Sequence, residues 1–88
     1  MSATTIHFVR HGKVYNPDHL LYERLPDFHL SDLGRRMAQA TAAYLANSPQ
    51  TNTISAVYSS PLDRTRETAD AILDALNPVR EARGEAPL

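Results

Sequence analysis

The stretch Ile54-Ser55-Ala56-Val57-Tyr58-Ser59-Ser60-Pro61-Leu62-Asp63-Arg64 decides how the chain is read. Residues 54–58 have the composition of a strand, and the residues after them have the chemistry of a helix start. Ser60 is a good N-cap, Pro61 falls at the favoured first helical position, and Asp63 can complete a capping box. The helix continues through Leu62, Ala69, Ile72, Leu73 and Leu76, and Asn77-Pro78 is expected to stop it. Residues 79–88 are charged, contain Gly84 and Pro87, and show no periodicity, so residues 78–88 are expected to be irregular.

Upstream the same pattern occurs once more. Residues 4–9 are β-rich and end at Arg10-His11-Gly12, a strand and its turn. Residues 13–30 contain two prolines and Asn16 but no helical stripe, which predicts a long ordered loop. Ser31 can cap a helix running to about Ala46, in which Leu33, Met37, Ala40 and Tyr44 recur at spacings of four, three and four. Gly34 weakens its first turn a little. Residues 47–53 are polar and turn-like.

The order β–α–β–α predicts an α/β fold: parallel strands joined by a right-handed crossover, with flanking helices. A two-stranded parallel sheet is poorly stable alone, and parallel strands normally lie in a sheet covered on both faces. The chain has 88 residues, which permits one small domain or part of one. Residues 1–88 are therefore expected to be the first βαβα portion of a larger α/β domain.

Composition narrows the function classes. There is no Cys, which excludes disulfide frameworks, thiolate nucleophiles and Cys-based metal sites. Nine basic and ten acidic residues give a formal charge of −1, which argues against a nucleic-acid or anionic-membrane partner. Residues 1–5 lack a basic leader region, and the apolar run at 6–9 is shorter than the about 7–15 residues of a signal core. No stretch approaches the ~20 apolar residues that span a bilayer. A cytoplasmic location is the default expectation.

The chemistry is expected at the strand ends, because open parallel sheets bind ligands outside the carboxyl ends of their strands. Arg10-His11-Gly12 follows the first strand, Ser59-Ser60 follows the second, and Arg64 lies one turn into the next helix. Adjacent parallel strands would gather two guanidinium groups, an imidazole and a helix N-terminus. Helix N-termini bind anions and Arg matches phosphate oxygens with a planar fork, so this is a metal-free phosphate site for a small phosphorylated substrate. His11 is the natural nucleophile, provided its other ring nitrogen donates to a carbonyl that fixes tautomer and aim. Arg10 and Arg64 would neutralise the phosphoryl oxygens, and Gly12 would let the backbone pass close to them. Arg24 is a candidate for a substrate's distal anion.

Phe8-Val9-Arg10-His11-Gly12 resembles the signature of the histidine phosphatase superfamily, the phosphoglycerate mutase-like fold. Residues 58–69, from Tyr58-Ser59-Ser60-Pro61 to Arg64-Thr65-Arg66-Glu67-Thr68-Ala69, resemble that family's second segment, and Leu30-Ser31-Asp32-Leu33-Gly34 its helix start. An Arg-His-Gly triplet alone arises in roughly one random chain of this length in a hundred. Three segments in the family's order are far more specific. The resemblance implies that His11 is the residue phosphorylated, that Arg10 and Arg64 clamp the phosphate, and that Asn16 matches a phosphate-contacting Asn. Val14 and Tyr15 depart from the mutase pattern and favour a phosphatase, with phosphoglycerate mutase the neighbouring alternative. The family's acid/base carboxylate and second pocket His come from later segments, and residues 1–88 carry no match to either. A truncated, inactive or purely phosphate-binding fragment is therefore the competing expectation.

Plainer roles account for the remaining residues. His7 is expected to be a hydrogen-bonded core or half-buried histidine within the first strand, His19 and His29 solvated loop residues, and Arg66 structural. Ser59 and Ser60 are expected to be turn and cap groups. The stripes Leu33–Met37–Tyr44 and Leu62–Ile72–Leu76 are expected to be core. No His set has metal-ligand spacing, and no cofactor is implied.

Overall fold

The computed structural model describes residues 4–19 and 28–88 of the chain. Two packed helices carry it, α1 (Asp32–Asn47) and α2 (Asp63–Ala82). α1 begins where its cap chemistry places it. Ser31 is extended and its hydroxyl oxygen accepts from the Gly34 N–H at 3.0 Å, which satisfies one of the donors a first turn leaves unpaired. At the other end the Ser48 N–H donates to the Tyr44 carbonyl at 3.0 Å. Buried Thr51 donates its hydroxyl to the Leu45 carbonyl at 2.7 Å.

The buried face of α1 is not the expected one. Leu33, Met37, Ala40 and Tyr44 face solvent, with Leu33 and Met37 each 47% exposed. Gly34, Ala38, Ala42, Leu45 and Ala46 are buried instead. The period was legible and the phase was not. Interaxial distance depends on the side chains at a helix contact, and Ala42 and Ala46 let α2 approach where Leu and Met would hold it off.

α2 departs from expectation at both ends. Leu62, not Ser60, is the N-cap, and no side chain caps the helix. The Thr65 hydroxyl lies 2.6 Å from that of Ser60, 3.0 Å from the Ser60 carbonyl and 2.9 Å from the Leu62 carbonyl. The carbonyls can only accept, so the Thr65 proton goes to them and Ser60 donates to Thr65 rather than to the helix backbone. Pro78 does not stop α2, which runs on to Ala82. Residues 78–82 are thus helical rather than irregular. Proline removes the N–H that would reach the Asp74 carbonyl, and tertiary contacts hold the last turn nonetheless. Val79 and Leu88 pack on the core, and Arg80 donates to the carbonyls of Ile54 (3.2 Å) and Ala86 (2.9 Å). The core itself is Ala42, Leu45, Ala46, Ile72 and Leu76, flanked by Ile54 and Val57.

The α/β reading is overturned. Among the described residues there is no β-strand and no sheet, only an isolated antiparallel bridge between Val14 and Leu30. Residues 4–9 and 54–58 have strand composition, yet no backbone–backbone hydrogen bond joins them. Two strands would bury too little surface to outweigh the ordering of both, and Phe8 and Tyr58 each remain 93% exposed. The Cα radius of gyration of 14.4 Å also exceeds the about 12 Å of a compact chain this long. No helix among the described residues is long and apolar enough to cross a membrane.

Candidate functional site

His11 follows the strand-like sequence of residues 4–9 and is half-buried. Its Nδ1 lies 2.8 Å from the carbonyl oxygen of Gly12. A carbonyl cannot donate, so Nδ1 carries the hydrogen and, in the neutral ring, Nε2 keeps its lone pair. The next residues are clasped to the start of α1. The Ser31 N–H and hydroxyl both donate to the Lys13 carbonyl, at 2.8 and 2.9 Å. The Tyr15 N–H donates to the His29 carbonyl at 2.8 Å, which frames the Val14–Leu30 bridge. Gly12 meets Gly34 backbone to backbone, with room for a Cβ on neither. Gly34, a weakness by helix propensity, is thus a packing requirement here.

A cleft of about 640 Å³ runs beside His11. Residues 4–9 and 54–60 wall it, with Thr65, Thr68, Leu45 and Ile72 completing the lining. His11, Ser59 and Ser60 therefore line one cavity, although no sheet brings strand ends together there. Arg10 and Arg64 are not in its wall. Arg10 is exposed, and Arg64, in the first turn of α2, is only 2% exposed and has bonding partners of its own. Among the described residues no carboxylate lines the cleft.

The other candidates divide. Asn16 is half-buried, and its carbonyl accepts from the N–H of His19, a residue with φ +52°. Arg24 lies outside the described residues. His7 is exposed, not half-buried. His29 is not simply solvated, since its Nδ1 lies 3.0 Å from Glu67 Oε1 and its Nε2 3.7 Å from Asp63 Oδ2. Glu67 is the residue the sequence reading passed over. Its partners lie 32 to 38 positions away, and local pattern carries no signal of that. Among the described residues no group of three or more His, Asp or Glu is arranged to hold a metal.

The model of the histidine phosphatase superfamily (branch 1) matches residues 6–85. Two curated relatives, uncharacterized proteins Rv0525 and MT0547 of Mycobacterium tuberculosis strains H37Rv and CDC 1551, are each 51% identical over 69 residues. Those residues are 78% of this chain and 32% of each relative, so the matched part spans about a third of the relatives' length. No solved structure matches. The matched region holds both Arg10-His11-Gly12 and the Ser59–Arg64 turn into α2, and the chain belongs to the histidine phosphatase superfamily, branch 1.

Proposed function

We propose that the chain carries the nucleophile of a metal-independent phosphomonoester hydrolase, with His11 Nε2 attacking phosphorus. The observation that supports this reading best is the 2.8 Å contact from His11 Nδ1 to the Gly12 carbonyl. It holds the proton on the nitrogen that does not react and leaves the other one basic. The Nε2–P bond forms as the P–O bond to the leaving group breaks, and the departing oxygen takes a proton from an acid. Water then cleaves the phosphohistidine to give inorganic phosphate and restores the imidazole. Arg10 and Arg64 are the cations assigned to the phosphoryl oxygens, Gly12 and Asn16 the backbone and amide beside them, and Arg24 the group for a distal anion.

A second reading has its own support. Among the described residues the cleft wall holds no carboxylate to serve as the proton donor, so the chain alone would bind phosphate without turning it over. Phosphate release from p-nitrophenyl phosphate, compared between the wild-type chain and His11→Ala, separates the two. Release lost in His11→Ala supports the hydrolase. Absence of release, with vanadate binding that Arg64→Ala removes, supports the binding module. Equal release by wild type and His11→Ala refutes the assignment of His11.

A further inference from the structure

Glu67 sits three residues beyond Arg64 in α2, with its side chain 19% exposed. Oε1 accepts from the Leu30 N–H at 3.1 Å and from His29 Nδ1 at 3.0 Å. Oε2 lies 2.8 Å from Arg35 Nη2, in α1. One carboxylate therefore ties both helices to the segment that enters α1. That segment in turn grips the chain leaving the candidate nucleophile, through Tyr15 N–H to the His29 carbonyl and Ser31 N–H to the Lys13 carbonyl. Lys13 directly follows Gly12, whose carbonyl receives the His11 Nδ1 hydrogen.

We propose that Glu67 is the positioning residue for His11. By holding His29 and Leu30 against α2, it fixes residues 13–15 and with them the direction of the Gly12 carbonyl, which selects the His11 tautomer. Half-buried, charge-assisted bonds suit this task, because each is directional and three on one carboxylate constrain it in position and rotation. Glu67 touches neither His11 nor the cleft, so it acts only through the backbone it holds. The inference rests on the hydrolase reading for one consequence alone, that the lone pair left on Nε2 is the one that reacts.

The test is the nitrogen spectrum of ¹⁵N-histidine-labelled full chain, taken where the His11 ring is neutral. Wild type should hold His11 mainly with the hydrogen on Nδ1. Glu67→Ala should raise the opposite tautomer about fivefold or more with helical circular dichroism unchanged. Glu67→Gln keeps an acceptor for the Leu30 N–H, so it should return most of the wild-type ratio and leave about a twofold shift. Arg35→Met, which spares the Leu30 bond, should move it less than Glu67→Ala does. A purely structural tie would leave the ratio constant, and an unchanged ratio in a folded Glu67→Ala protein overturns the proposal. Where the Ala variant loses its helical signal, Glu67→Gln decides in the same way: a shift supports the proposal and no shift overturns it. The measurement needs no substrate. Failure of the hydrolase reading therefore leaves a tautomer shift standing, and failure of the shift leaves the His11 nucleophile standing.

Discussion

Gly12 and Gly34 touch through their backbones: a Cβ on Gly12 would stand 2.8 Å from the Gly34 carbonyl oxygen and 3.0 Å from its Cα. The reverse substitution would drive a Cβ into the Lys13 carbonyl. Two rigid main chains meet here, so neither side can yield by rotating a side chain. This contact seats the turn that carries His11 on the first turn of α1.

Gly34→Ala sets helix propensity against that contact. Propensity alone favours Ala inside a helix by about 1 kcal/mol. Overpacking typically costs about 1–3 kcal/mol and here falls on backbone atoms. The expected outcome in urea denaturation is a net loss of stability. A gain would show that the turn is not seated on α1.

Ser31→Ala removes the α1 N-cap and one of two donors to the Lys13 carbonyl. A loss of about 0.5–2 kcal/mol is expected from the cap alone. Hydrogen exchange of the Tyr15 amide, bonded to the His29 carbonyl, should speed up in parallel. Exchange that stays constant while stability falls would separate the cap from the clasp.

Pro78→Ala restores inside α2 the N–H that reaches toward the Asp74 carbonyl. Interior proline costs a helix about 3 kcal/mol, and part of any gain is offset because the unfolded chain becomes freer. A net stabilisation of about 1–2 kcal/mol is expected in thermal unfolding. Destabilisation would mean that the last turn depends on a bend at Pro78.

The buried and exposed faces of the helices can be told apart by a pair of truncations. Leu76 is fully buried at 0% exposure, and Leu76→Ala should cost about 2–5 kcal/mol. Met37 belongs to the apolar stripe of α1 but faces solvent, so Met37→Ala should stay within about 0.5 kcal/mol. Equal losses in chemical denaturation would restore Met37 to the core.

What was legible in the sequence was local: one helix start and the turn that carries His11. The start of α1 follows from Ser31, because capping depends on a few neighbouring residues. The His11 turn is legible for the same local reason, since its ring bonds to the adjacent residue. What failed depends on distant partners. Residues 4–9 and 54–58 have strand composition, but a strand exists only when its backbone finds a ladder, and these find none. The phase of α1 was misread because small residues lie on much of its buried face: Ala42, Leu45 and Ala46 share the core with Ile72 and Leu76 of α2, while Leu33 and Met37 stay outside. Pro78 stayed helical through contacts made by Arg80 and Leu88, which no helix-stop rule contains. Glu67 is invisible to local pattern because its partners His29, Leu30 and Arg35 lie 32 to 38 positions away.

The most direct measurement is the position of a transferred phosphoryl group. The 88-residue protein, treated with the small donor phosphoramidate, can be read by mass spectrometry for the residue and by ³¹P–¹⁵N coupling for the nitrogen. The account predicts modification of His11 at Nε2, well ahead of His7, His19 and His29. Phosphorylation spread evenly over the four histidines, or bonded to His11 Nδ1, would contradict it.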